Sequence, residues 1–345
     1  MSIAICIPSN RSLVDSNQSI ASAIKYAEGK DIIVSVSDNS GSSEKFDFYS
    51  KLISNKFIYS ANKNLSITDN WSNSKNQVSA DFKSILSDDD LIFNINTSSL
   101  DLIYLDDSIV GLRPTMSLFT NSLGIYSTSN FSIEKLTAVE RCIEYLKYNN
   151  GSNTTLFSFL RSWLIDDIFD LMNNYHPTQG GYSDWAVVFA YVSSGKIIND
   201  PSTHLIYNNN NWYGDAKTIS NNVTNLFIEV NMPAKSAKYL PLLTALDCFI
   251  LIMRNNSPLT YGEKIKAASY LLLLYTNTFL KSDESLFFEE NSEVITLIDN
   301  LNKSKTVNDC IINAVNIIST LRHDLKMKYE EFYYNSLFQE LGTIR

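Results

Sequence analysis

Lys83-Ser84-Ile85-Leu86-Ser87-Asp88-Asp89-Asp90 decides the fold. A short apolar run ends in a serine and three adjacent carboxylates. In open α/β sheets, ligands bind beyond the carboxyl ends of the strands. The residues upstream keep a matching rhythm. Residues 3–7 are an apolar run closed by Pro8, and residues 12–28 carry a helical stripe of Val14, Ile20, Ile24 and Ala27. Residues 32–36 and 57–59 are two further strand-like runs, with a helix fitting 43–54 between them. Ser66, with Asp69 three residues on, opens a helix through Ser79 in the manner of a capping box. Strands alternating with such helices predict a parallel sheet of βαβ units, with 83–86 as the fourth strand.

Downstream, residues 102–105, 108–112 and 116–119 read as strands separated by turns at Asp106-Asp107 and Arg113-Pro114. Helices are expected at 136–148 and 156–174, a break at Gly180-Gly181, and a helix over 184–193. Strands follow at 196–198 and 205–207, then an asparagine loop at 208–211. From about residue 215 the strand signals vanish, and 233–254, 260–281, 285–302 and 305–340 read as helices. Residues 239–253 are apolar on nearly every face, with Asp247 the only charge, as in a helix buried inside a bundle. The expected division is an α/β domain over 1–215 and a helical one over 216–345.

The chain has 345 residues, 44% hydrophobic and only 19% charged, enough apolar side chain for a core. Thirty-seven asparagines make up much of the missing charge. The net charge of −9 argues against a broad nucleic-acid footprint, so no nucleic-acid partner is expected. Four cysteines lack any CxxC spacing and read as small buried hydrophobes of a reducing compartment. Three histidines are too few and too scattered for a histidine zinc site. The N-terminal MSIAICIPSN lacks a basic stretch before its apolar run and reads as a strand, not a signal peptide. No window of about 18 apolar residues predicts a membrane span. The expected location is cytoplasmic. A basic and aromatic stretch, Arg322 to Tyr334, leaves a peripheral contact with the inner face of a membrane open.

Three neighbouring carboxylates repel one another, and a divalent cation relieves that cost; hard oxygen ligands suit Mn²⁺ or Mg²⁺. Two other segments end strands on the same sheet edge. They are Pro8-Ser9-Asn10-Arg11 and Ser37-Asp38-Asn39-Ser40-Gly41-Ser42. A carboxylate such as Asp38 can accept the N3–H of a uracil, and the Pro8 turn exposes backbone groups to a base.

The order of these segments, with Asn64 and Asn70-Trp71 between them, resembles the nucleotide-binding half of bacterial family 2 glycosyltransferases of the GT-A fold. Gly181-Tyr182-Ser183-Asp184-Trp185, then Ser194-Gly195-Lys196-Ile197-Ile198 and Asp200-Pro201, resembles that family's acceptor-side stretch. The likeness covers roughly residues 1–210. It implies a GT-A domain, a Rossmann-like mixed sheet flanked by helices, and inverting, metal-dependent sugar transfer. The donor would be a nucleotide sugar, UDP-linked in the first instance. The acceptor would be a hydroxyl of a bacterial surface glycan, with a lipid-linked one open. It also implies donor binding by Pro8, Ser9, Asn10, Arg11, Asp38, Asn70, Asp88 and Asp89, metal at Asp90, and a catalytic base at Asp184. Arg113 is a candidate for the donor phosphates. Two positions depart from the pattern. Ser183 stands where the family has a Glu. The histidine that closes the metal site is replaced by Tyr207 or Asn208, with His204 three residues early. A homodimer through the helical segment remains open. A nucleotidyltransferase is the alternative, though Pro8 to Arg11 lacks the glycine its phosphate loop needs, and so is a non-catalytic nucleotide-sugar-binding subunit.

Overall fold

A computed structural model describes residues 1–95, 105–282 and 292–338. It divides into two compact units. The first holds residues 1–134, 144–170 and 195–213, the second 135–143, 171–194 and 214–345.

The first unit is built on a nine-stranded mixed sheet. Strands β1 (Ile3–Ser9), β2 (Ile32–Asp38), β3 (Phe57–Ala61) and β4 (Phe82–Ile85) alternate with helices α1 (Leu13–Ala27), α2 (Ser43–Tyr49) and α3 (Ile67–Asn76). They pair in parallel in the order β3-β2-β1-β4, as the alternation predicts. Ser12, Ser42 and Ser66 each accept a hydrogen bond from the backbone N–H three residues on, so all three helices start on serine caps. β1 runs past Pro8 to Ser9. Pro8 lies beyond the last β1–β4 pair, Cys6 with Ile85, where a residue without an N–H is tolerated.

The remaining strands are β5 (Leu91–Asn94), β6 (Ile109–Thr120), β7 (Gly124–Ser129), β8 (Phe159–Arg161) and β9 (Lys196–Asn208). The sheet continues β4-β8-β6-β9-β5, with β7 on β6. β6 and β9 each replace two short strands and a turn expected from the sequence. Pro114 does not break β6, because the β6–β9 register shifts between Pro114 and Thr115 and a bulge accommodates the proline. β5 and β7 carried no sequence signal that was read. β8 falls where a helix was expected from residue 156; α5 (Ser162–Tyr175) begins only after it. The strand expected at 102–105 lies, but for its last residue, outside the described residues.

The second unit is helical. It contains α6 (Asp184–Ser194), α7 (Ala216–Glu229), α8 (Leu240–Met253), α9 (Tyr261–Leu280), α10 (Ser292–Asn302), α11 (Val307–Ser319) and α12 (Leu325–Phe338), with part of α4 (Ala138–Tyr148). α7 was not foreseen, and the expected single helix over 305–340 is two. α8 is buried from Leu242 to Met253 and packs on α6, itself buried from Ala186 to Ser194. That packing draws 171–194 into this unit, beyond the single break expected after residue 215. Ala234–Met253 is long and apolar enough to span a membrane, yet it is mostly buried here.

Asp247 sits inside α8 at 0% exposure. It accepts hydrogen bonds from Ser183 (2.6 Å) and Tyr329 (2.9 Å), with His176 Nε2 at 3.2 Å. His176 Nδ1 accepts from the backbone N–H groups of Thr178 and Gly180, which places the ring proton on Nε2, facing Asp247. A buried charge needs such partners, and here they tie α8, α12 and the turn before α6 together. All four cysteines are buried and unpaired. Cys6 lies in the first unit, Cys142, Cys248 and Cys310 in the second. Burial raises every one of the four thiols, Cys6 and Cys142 to about 12.

Candidate functional site

The carboxyl ends of β1, β2 and β4 meet in the first unit, and Asp88 to Asp90 leave the sheet there. The three do not continue as an extended strand. The Asp90 N–H bonds back to the Ser87 carbonyl at 3.2 Å, making a tight turn. Ser19 of α1 holds that turn by donating to the Ser87 carbonyl at 3.0 Å. β5 follows at once and pairs with β9, Leu91 opposite Ile206. The turn is therefore gripped between the end of β1 on one side and the end of β9 on the other.

Asp88 points to β1. Its Oδ2 accepts from Ser9 Oγ (2.6 Å), the Asn10 N–H (3.1 Å) and the Arg11 N–H (3.2 Å). Its Oδ1 is paired with the Arg11 guanidinium, which also reaches Asp89 Oδ2 at 2.8 Å. Burial works against the charge of Arg11, but Asp88 and Asp89 more than offset it and hold Arg11 above its ordinary value. Burial raises the Asp89 carboxyl, and Arg11 opposes the shift.

Asp90 points the other way, to β9. It is fully buried, and its Oδ1 accepts the Asn208 N–H at 2.8 Å. Its Oδ2 is buried with no hydrogen-bond partner. Burial raises Asp90 well above the ordinary 3.8; the Asn208 N–H, the Ser87 hydroxyl and Arg11 oppose the shift and Asp89 adds to it. Asn208 also donates to Asp89 at 3.3 Å. It thus stands where the sequence left Tyr207 or Asn208 open. His204 lies back along β9, its Nε2 on Ser117 Oγ at 2.8 Å.

An orphaned buried carboxylate oxygen suits a hard cation. Among the described residues no group of three or more His, Cys, Asp and Glu is arranged to hold a metal. Asp90 is then the protein ligand that fits. Phosphate oxygens and water would complete the shell, as Mg²⁺ commonly accepts.

Asp38 ends β2 at 1% exposure. Four donors surround its carboxylate: Tyr59 OH (2.5 Å), the Ser40 N–H (3.0 Å), Ser40 Oγ (3.1 Å) and Lys45 Nζ (3.2 Å). These fill the four lone-pair directions of a carboxylate. Asp38 also borders a cavity of about 230 Å³ lined with Phe46, Asn62 and Lys63. Asn70 is buried at the junction, accepting from Ser37 Oγ (2.6 Å) and donating to the Ser9 carbonyl (3.2 Å). It braces the ends of β1 and β2 and presents little surface.

Arg113, a sequence candidate for phosphate contact, is 1% exposed. It bonds Ser129 and Thr155 and stacks on Phe131 at 3.9 Å, and burial lowers it to about 10. Asp184 belongs to the second unit, exposed at the first position of α6, where its Oδ1 accepts the Trp185 N–H at 3.0 Å. Ser183, in the place of the family's Glu, is buried and committed to Asp247. Lys45 was not singled out from the sequence. A lone lysine early in a short helix gives no periodic signal.

A mixed sheet whose first four strands run parallel, with carboxylates at their carboxyl ends and a helical segment following, is the GT-A glycosyltransferase fold. Among solved structures the chain is similar to residues 1–349 of S. aureus TarS. The TM-score is 0.51 at 14% identity, over 97% of this chain and 90% of that one. The same fragment in complex with UDP aligns at a TM-score of 0.49 and 14% identity over the same shares. In complex with UDP-GlcNAc it aligns at 0.48 and 13%, again over the same shares. No family model and no curated protein matches the sequence.

Proposed function

We propose that this chain is an inverting glycosyltransferase that moves a sugar from a UDP-linked donor to a hydroxyl of a bacterial cell-surface glycan. The observation that carries the reading is the orphaned oxygen of buried Asp90, set in a carboxylate turn at the strand ends of a GT-A sheet. Asp38 binds the uracil N3–H. The Ser40 hydroxyl, whose oxygen is held by the Ser42 N–H, is the donor that gives way to it by turning its proton aside. Asp88, Asp89 and Arg11 border the ribose and diphosphate, with Pro8 and Ser9 at the end of β1 and Asn10 beyond it shaping the floor. A Mn²⁺ or Mg²⁺ ion bound at Asp90 would supply positive charge beside the leaving diphosphate. Asp184 takes the proton of the acceptor hydroxyl. The acceptor oxygen then bonds the anomeric carbon, the bond to the diphosphate breaks, and UDP leaves with configuration inverted. No second carboxylate is needed to protonate a diphosphate leaving group.

A thermal-shift panel of UDP, GDP, CMP and dTDP sugars, with and without Mn²⁺, tests the donor. Stabilisation by the UDP sugars, larger with Mn²⁺, is expected. Stabilisation by none of them refutes the reading. Binding with no transfer to any glycan acceptor would leave a nucleotide-sugar-binding subunit.

A further inference from the structure

We propose that Lys45 is a positioning residue that fixes the nucleobase half of the donor site against its diphosphate half, a role that rests on the reading above. Lys45 is fully buried in α2, the short helix after β2. Its ammonium has three protons, and three acceptors meet them: Ser9 Oγ at 2.5 Å, the Arg11 carbonyl at 3.0 Å and Asp38 Oδ1 at 3.2 Å. Ser9 Oγ in turn donates a hydrogen bond to Asp88 Oδ2 at 2.6 Å. Asp38, on the base side, is thereby joined to Asp88, on the diphosphate side, through one nitrogen and one oxygen. The bridge crosses the ends of β2, β1 and β4 in turn.

The ribose of a nucleotide sets a fixed span between base and diphosphate. A site that reads both must hold its two halves to within about 0.5 Å. Burying an ammonium is costly, and burial lowers Lys45 from its ordinary value against the pull of Asp38. A buried ion pair is often replaceable by apolar residues with no loss of stability. Core packing alone is thus a weak reason for a charge here, and every acceptor of Lys45 belongs to the donor floor.

The test compares Lys45→Met/Asp38→Asn with wild type. The double variant leaves no unpaired buried charge and so keeps the fold. Amide exchange is read by NMR at Asn10 and Arg11, whose N–H groups bond Asp88 and do not touch the Lys45 ammonium. Exchange there should quicken about five- to tenfold, the loss of roughly one hydrogen bond, with Ala4 to Ile7 unchanged. Titration with uridine and with UDP, in Mg²⁺ buffer, gives the second readout. The advantage of UDP over uridine should shrink by a similar factor. A residue that merely packs would weaken both ligands equally. Unchanged exchange at Asn10 and Arg11 overturns the proposal. Faster exchange with an unchanged UDP advantage overturns it too, leaving a packing role. Wild type that binds neither ligand overturns the donor reading first, and this role with it, before any variant is compared.

Discussion

Replacing Asp90 by Asn should stabilise the metal-free protein while removing its response to metal. Unfolded, Asp90 titrates near 3.8; folded, burial holds it well above that. Between the two values the folded chain keeps a proton that the unfolded chain has released. Stability therefore falls as pH rises through that window, by up to about 1.4 kcal/mol per pH unit. Asn has no proton to keep and no such slope. Its carbonyl can still accept the Asn208 N–H, and the amide nitrogen in the place of the orphaned oxygen stays unpaired but carries no charge. An unsatisfied buried polar group costs about 1–3 kcal/mol, more when charged. At pH 7.5 in chelator, Asp90→Asn should gain at least part of that. At roughly 2–4 °C per kcal/mol, the melting temperature should rise by a few degrees. At pH 5 the gain should be smaller. Adding Mn²⁺ with UDP should raise the wild-type melting temperature and leave the variant's unmoved. A variant that melts at or below wild type at both pH values would refute the account of Asp90 as an uncompensated buried carboxylate. A variant that binds UDP with Mn²⁺ as tightly as wild type would remove the metal from it.

Asp38→Ala should weaken UDP by about tenfold with or without Mn²⁺, one charged hydrogen bond's worth; a loss seen only with Mn²⁺ would move Asp38 off the base. Asp184→Asn should keep UDP-sugar affinity and lose at least roughly a hundredfold in transfer rate. Near-normal transfer by a folded Asp184→Asn would pass the role to Asp89 or Asp107. Tyr329→Phe removes a hydroxyl that donates to buried Asp247, and urea unfolding should report a loss of about 1.5–3 kcal/mol. A loss below about 0.5 kcal/mol would mean that water or another donor replaces it.

The first ninety residues were legible because each element carries its own signal. β-branched runs mark the strands, and Ser66 with Asp69 marks the start of the third helix. The carboxylate turn stood out for the same reason, since acidic residues after an apolar strand need an explanation. What lay beyond was set by pairing. Pro114 reads as a turn, yet β9 continues on both sides of it once the register slips. β8 is three residues long, and a short apolar run cannot be told from helix by periodicity. The gap between α11 and α12 has no Gly or Pro; Arg322, bonded to Asp324, occupies it. The partners of Asp90 were half legible. Asn208 was one of two candidates, and only the β5–β9 pairing brings it to the carboxylate. Lys45 shows no pattern, because its meaning lies in three acceptors from distant positions.

The buried cysteines give the two units separate clocks. A thiol reagent attacks the thiolate. In the folded chain burial both raises these thiols and hides them. Alkylation must therefore wait for a local opening, and its rate measures how often that opening occurs. Cys6 lies in β1, three residues before Ser9 at the donor floor, so it times the opening of that strand. Cys142, Cys248 and Cys310 time the helical unit. A ligand that seats on the first unit would slow the labelling of one cysteine of the four, and the chain would report, without any added probe, which half it had bound.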